Sequence, residues 1–229
     1  MNGDSSDMDN KALAGIVAVV VVVVVVAAAA IMLGGNDNKE GGVTTGVNYH
    51  GNGGTWDGTS VYGNTNTTVE TNLFTYEGHT FIGWNTAADG SGTSYAVGDP
   101  VSYGSGTIDL YAQWAYTFNL KLSYSGFASA SYYLVNSDGS YAQIGIGNHA
   151  LPTDGRAGIA VRVNGVDSWT VENNSFVGTD SAGNTYRVSI TMTGAEPQVV
   201  PNAENLAGWT FQFSEPVVCE ISITEQQAH

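Results

Sequence analysis

The stretch Gly78 to Asp99 reads GHTFIGWNTAADGSGTSYAVGD and contains one histidine, two aspartates, one tryptophan and five glycines. A short β-like run, Thr80 to Trp84, is followed by the turn signal Asp89-Gly-Ser-Gly92. Glycine adopts backbone angles that other residues avoid, so the glycines here turn a short chain sharply. Turn chemistry also explains Asp89 and Asp99 more simply than an acidic pair does. The stretch therefore predicts a β scaffold rather than a reaction site.

Residues on both sides of this stretch extend the β pattern. Val47 to Gly54 alternates and then turns on a glycine cluster, and Val69 to Phe74 is a further short β-like run. Thr107 to Trp114 alternates over eight residues, which indicates a strand with one apolar face. We expect a small module at 47–114 with a limited core. Its predicted core residues are Phe81, Trp84, Tyr95, Leu110 and Trp114.

Three blocks of this module carry a family resemblance. VNYHGNGG at 47–54, FTYEGHTFIGWNTAADGSGTSYAVGD at 74–99 and LYAQW at 110–114 resemble, in this order, the Listeria–Bacteroides repeat, or internalin B-repeat family. The resemblance implies a small β-grasp-like module that serves presentation and adhesion on microbial surface proteins. It implies no catalytic residues. The sequence departs from the family in having one copy, and in having His79 where a tyrosine is common.

The amino-terminal part predicts a membrane anchor. Ala12 to Leu33 reads ALAGIVAVVVVVVVVAAAAIML and has no polar side chain. As a helix it would span about 33 Å, close to the hydrocarbon thickness of a bilayer. We expect a short cytoplasmic leader at 1–11, a single transmembrane helix at 12–33 and a flexible glycine-rich linker at 34–46. Alternatively, Lys11-Ala12 resembles the processing junction of archaeal pilin-like proteins, and the chain would then be a filament subunit.

Residues 115–229 read as an all-β domain. Tyr116 to Tyr124 alternates cleanly, and Asn136 to Ser140 is a hairpin signal between two short runs. About eight short strands over this length predict an immunoglobulin-like or jelly-roll sandwich. Cys219, the only cysteine, lies in a strand-like run and is expected to pack as a small hydrophobe. The predicted fold class is therefore mainly β: a transmembrane helix, a β-grasp-like repeat module and an all-β sandwich.

Charge and motifs limit the function classes. The net charge is −15, and residues 47–114 contain no Lys or Arg, which argues against nucleic-acid binding. No G-x-S-x-G, H-E-x-x-H or paired cysteine occurs. His149, with Asp154 or Asp167 to orient it, lacks a nucleophile signature, and His79 has only His50 as a nearby histidine. We expect no enzyme activity, no cofactor and no metal.

Aromatic side chains supply the candidate ligand-facing residues. Tyr132 and Tyr133 are adjacent on a predicted strand, so one must face away from the core, and Trp209 is a further candidate. The leading hypothesis is a non-enzymatic, single-pass membrane protein whose bulk is extracytoplasmic and displays β modules for adhesion or binding. The partners would be the membrane and an extracellular protein or glycan. The alternative is a carbohydrate-binding surface protein that uses the carboxy-terminal sandwich.

Overall fold

The computed structural model describes residues 39–125, 129–200 and 205–227, and the chain forms fifteen β-strands there. No helix within those ranges is long and apolar enough to cross a membrane. The predicted leader at 1–11 and the predicted transmembrane helix at 12–33 lie outside the described residues, as does the start of the predicted linker. The expectation of a flexible linker is wrong for its described end, because Lys39–Glu40 forms a strand and Gly46 begins another. The expectation of a mainly β protein is confirmed for the described part of the chain.

The first unit is a mixed sheet of six strands. Its strands are β1 (Lys39–Glu40), β2 (Gly46–His50), β3 (Val61–Asn64), β4 (His79–Asn85), β5 (Ser94–Tyr95) and the first part of β6 (Thr107–Ser125). The order is β1-β3-β2-β6-β4-β5, in which β2 and β6 run parallel and the other neighbours run antiparallel.

The core of the first unit follows the predicted alternation. Leu110 and Ala112 on β6 are fully buried, and Trp84 on β4 is 1% exposed. Phe81, Tyr95 and Trp114 are partly buried and pack against this core. The buried cluster is formed by Val47, Tyr49, Tyr62, Val69, Phe74, Trp84, Val101, Leu110 and Ala112.

The expected β-like run from Val69 to Phe74 is wrong: this segment forms no strand. Its backbone is held instead by loop contacts. The Asn72 side chain donates to the Phe74 carbonyl at 2.8 Å and accepts from the Phe74 N–H at 3.0 Å. The Val69 N–H donates to the Asp99 carbonyl at 2.9 Å. Val69 and Phe74 are nevertheless buried, so the apolar pattern identified core positions but not their backbone structure.

The second unit contains the rest of β6 and nine further strands. These are β7 (Ala130–Val135), β8 (Tyr141–Ile144), β9 (Gly147–Ala150), β10 (Arg156–Val163), β11 (Thr170–Glu172), β12 (Ser175–Thr179), β13 (Thr185–Ala195), β14 (Gln198–Val200) and β15 (Ala207–Gln226). One sheet has the order β9-β6-β15-β13-β12-β11 and the other β8-β7-β10-β15-β14.

Strand β15 belongs to both sheets of this unit. Its first part, Ala207 to Gln212, pairs with β10, and its second part, Val217 to Thr224, runs parallel to β6. One apolar cluster takes residues from both sheets, including Phe118, Leu120, Trp209 and Cys219. The immunoglobulin-like or jelly-roll assignment stays a prediction.

The two units meet along β6, which crosses the predicted boundary between 114 and 115 without a break. The Thr117 N–H donates to the Gly78 carbonyl at 3.0 Å, and the hydroxyls of Thr80 and Thr117 are 2.9 Å apart. Gly78 has φ +73°, and a Cβ there would lie 2.6 Å from Cγ of Pro216. Strand β6 therefore contributes residues to both apolar cores, and these contacts link the two units where they meet. The domain bounds at 47–114 and 115–229 stay predictions.

Candidate binding surface

The two adjacent tyrosines of β7 point in opposite directions, as the strand period requires. Tyr132 is 6% exposed and belongs to the core of the second unit, where its hydroxyl contacts that of Tyr124. Tyr133 is half-buried and points away from that core. Of this pair, Tyr133 is therefore the residue that can present a ring to a ligand.

Trp209 lies inside the protein. It is 2% exposed, and its ring stands edge-on to Phe176 with centroids 4.9 Å apart. Its Nε1–H donates to the Asn174 carbonyl at 3.3 Å. Because its neighbours cover both the ring and the N–H, Trp209 serves the core in this conformation and offers no face to a sugar.

A residue that sequence reasoning missed, Tyr141, lies beside Tyr133. Tyr141 on β8 is paired with Val135, and Tyr133 is paired with Gln143, so these four side chains share one face of the sheet. The rings of Tyr133 and Tyr141 are perpendicular, with centroids 6.2 Å apart, and Tyr141 is 40% exposed. The sequence could have indicated Tyr141, because this residue directly follows the hairpin turn at 136–140 and so begins the second strand of the hairpin.

The face of the β8-β7-β10-β15-β14 sheet that points away from the core is called here the outer face. It carries Tyr133, Tyr141, Arg156, Arg162 and Gln212. A groove of about 460 Å³ begins at Arg156 and is lined by Glu196, Gln198, Thr210, Phe211 and Gln212. A second groove of about 390 Å³ shares Arg156 and Gln212 and extends to Asp154, Phe213 and Ser214. Both grooves are rich in planar polar side chains, which suit recognition of hydroxyl groups.

The described histidines have structural partners rather than a common site. His50 Nε2 lies 2.8 Å from Asp109 Oδ1, and the His50 ring stacks on Tyr111. His79 stacks on Tyr76 with centroids 3.9 Å apart. His149 is buried, and its Nε2 lies 2.7 Å from the Gly145 carbonyl oxygen.

Three of the acidic residues considered in the sequence analysis, Asp89, Asp99 and Asp154, have local contacts as well. Asp154 Oδ1 accepts from the Arg156 backbone N–H at 3.2 Å, and Asp89 Oδ1 accepts from the Ser91 N–H at 3.0 Å. Asp99 Oδ2 accepts from the Ala96 N–H at 2.7 Å. In the described ranges, no three His, Cys, Asp or Glu side chains form a group that could hold a metal ion. The turn interpretation of Asp89 and Asp99 is confirmed.

Cys219 is a buried core residue, as predicted. It is fully inaccessible and packs in the second core on β15. Burial raises the pKa of its thiol to about 12, because the charged thiolate is poorly solvated there. The side chain therefore acts as a small hydrophobe at neutral pH.

The described fold thus defines a mainly β protein whose first unit is a small mixed sheet and whose second unit has an exposed aromatic face. Among known families, residues 46–113 of the first unit match the family model of the Listeria-Bacteroides repeat domain. This confirms the resemblance seen in the three sequence blocks.

Two relatives come from Evansella cellulosilytica. One, by its name a membrane protein, is 56% identical over 46 residues, which is 20% of this chain. The other, by its name a Gly-rich membrane protein, is 53% identical over 38 residues, which is 17% of this chain. The aligned parts span only 7% and 4% of the two relatives. No solved structure matches this chain.

Proposed function

We propose that this chain is a non-enzymatic, membrane-anchored cell-surface protein that displays its β units for adhesion or binding. The observation that carries the proposal is the match of residues 46–113 to the Listeria-Bacteroides repeat domain. The names of the two relatives, both membrane proteins, support association with a membrane. The apolar run at 12–33 supplies a segment of the length that a single-pass anchor requires.

The joined units suit display. Because Lys39–Glu40 pairs with β3 and Gly46 begins β2, only the glycine-rich part of the predicted linker that precedes Lys39 would give reach. The contacts of Gly78 with Thr117 and Pro216 would hold the second unit in a fixed direction from the first. The acidic composition would limit non-specific attachment to anionic lipid and nucleic acid. Binding would then occur at a defined face of the second unit rather than through general charge.

Protease shaving of intact cells tests this placement. A broad-specificity protease is added to cells that make the full chain, and the released peptides are identified by mass spectrometry. We expect peptides from 47–229 in the supernatant, while residues 1–11 stay protected until the cells are lysed. Release of 1–11 with protection of 47–229 would refute the extracytoplasmic placement.

The alternative, a carbohydrate-binding surface protein, has a specific observation in its favour. Tyr133 and Tyr141 form an exposed perpendicular pair, with Gln143 directly beside Tyr133 on the neighbouring strand. Aromatic rings pack against the apolar faces of sugars, and amide side chains bond to hydroxyls in both directions. The two proposals are compatible, since display on a surface places this face where glycans occur.

A further inference from the structure

The four cations of the second unit are divided equally between its two sheets, but they differ in the carboxylates that lie beside them. Residues 115–229 contain four, namely Lys121, Arg156, Arg162 and Arg187. On the β6-β15-β13 side, Arg187 binds Glu172 at 2.8 Å, and Lys121 lies directly opposite Glu220 in the strand register. The positive charge of that sheet is therefore compensated locally.

The outer face of the other sheet carries the other two cations. Arg156 and Arg162 both project from β10 on this side, and both are exposed. None of the described strand residues that the registers place on this face is an Asp or Glu. Asp154 and Glu196 flank Arg156 from the adjoining loops, so the Arg162 end is the more positive one.

The shape of this face fits an extended ligand. Between the two arginines, β10 carries only Gly158 and Ala160 on this side, and Val135 lies over Gly158. Six residue steps along a strand separate the arginines by about 20 Å. Tyr133 is paired with Ala160 and so lies between the two charges on the neighbouring strand. Because Gly158 and Ala160 are buried, a chain-like molecule that contacts both guanidinium groups would pass over Tyr133 rather than along β10 itself.

From this arrangement we infer that the outer face binds an acidic polysaccharide whose sugars carry carboxylates, such as a polyuronate. This inference rests on the proposed surface function and names its ligand class. Arginine binds a carboxylate through two parallel N–H donors, which gives both strength and direction. Tyr133 and Tyr141 would pack on the sugar rings, and Gln143 and Gln212 would bond to hydroxyls. At physiological salt the screening length is about 8 Å, so carboxylates elsewhere on the chain act weakly at Arg162, while Asp154 and Glu196 still act on Arg156.

The test uses two forms of one polymer. The full chain in non-ionic detergent is titrated with polygalacturonate and with its fully methyl-esterified form, which keeps the sugar rings but removes the charge. We expect the charged form to bind about tenfold more tightly, as for a charge-assisted hydrogen-bond pair. Replacing both arginines, in Arg156→Gln with Arg162→Gln, is expected to abolish this preference.

Further variants separate charge from stacking. Tyr133→Ala with Tyr141→Ala is expected to weaken binding of both polymers by similar factors, because both keep the sugar ring. Arg187→Gln is the matched control on the opposite sheet and is expected to leave both affinities unchanged. Thermal unfolding of each variant verifies that it is folded.

Equal binding of the two polymers by the unaltered chain would overturn the inference, as would a preference that survives the double arginine change. Loss of the preference in the Arg187→Gln variant would also overturn it, by placing the ligand on the other sheet. These outcomes are independent of protease shaving. A chain that is displayed but does not bind polyuronate would refute the ligand class alone.

Discussion

Replacing Leu120 by alanine tests whether β6 couples the two apolar cores. Leu120 is fully buried in the second core, while Leu110, ten residues earlier on the same strand, is fully buried in the first. Removing the buried leucine side chain leaves a cavity and lowers the free energy of unfolding by about 2–5 kcal/mol. Because β6 is continuous and Thr117 bonds to Gly78 across the junction, we expect both units to unfold together.

The assay is native-state hydrogen exchange in increasing urea, read by mass spectrometry on the full chain in non-ionic detergent. Amides of β2 report on the first unit and amides of β13 on the second. In Leu120→Ala, both sets are expected to lose the same unfolding free energy, about 2–5 kcal/mol. The control is Ile82→Ala on β4, a side chain 49% exposed, which is expected to change stability by less than about 0.5 kcal/mol.

The coupling argument fails if the two sets of amides respond differently. If β13 loses protection in Leu120→Ala while β2 keeps all of its own, the units unfold independently. The junction contacts would then be too weak to hold the second unit in a fixed direction.

Three further predictions concern single residues. Cys219 should resist a maleimide in the native protein at pH 7 and react fully in urea, because its thiol is buried. The increase in protein mass on labelling measures this, and labelling of the native protein would contradict the burial. Hydrogen bonds, chiefly from Asn184, lower the pKa of Asp180 in the folded protein below its ordinary value of 3.8. The ionised carboxylate therefore stabilises the fold above pH 3.8, and this stabilisation is lost as the pH falls through the lower pKa of the folded state. The difference in melting temperature between the unaltered chain and Asp180→Ala should therefore shrink on acidification, and a difference that grows would refute this sign. Gly78→Ala should destabilise more than Gly58→Ala, because both have positive φ but only Gly78 faces Pro216; equal losses of melting temperature would show that the junction tolerates a Cβ.

The side of each strand that faces the core was the part of the fold that the sequence predicted best. The alternation that places Leu110 inward continues in the same phase through Phe118 and Leu120, so one face serves both cores. The same period shows why only one of Tyr132 and Tyr133 faces outward. Local alternation carries this information because burial of one face fixes the direction of every second side chain.

Non-local pairing was beyond sequence reasoning. Two β-like runs, Trp209 to Phe213 and Val217 to Ile223, flank Pro216 in the sequence, yet they form one strand that moves between sheets around that proline. The parallel pairing of β15 with β6 joins segments about a hundred residues apart, for which no local signal exists.

The binding surface was predicted only in part. Tyr133 was named, but Tyr141 became its neighbour only through the β7–β8 register. The burial of Trp209 could have been anticipated, since it alternates with the exposed Thr210 and shares a face with Phe211. The surroundings of Arg156 and Arg162 could not, because they depend on which strands lie beside β10.

Surface display is tested most directly by cysteine accessibility in intact cells. Cys219 is buried, so it contributes little background, and Ser181→Cys places a new thiol in an exposed turn between β12 and β13. A membrane-impermeant maleimide is expected to label Ser181→Cys in intact cells, and to label a leader variant, Ser5→Cys, only after the membrane is permeabilised. Labelling of Ser5→Cys in intact cells, with Ser181→Cys protected, would contradict the proposed orientation and the surface role that depends on it.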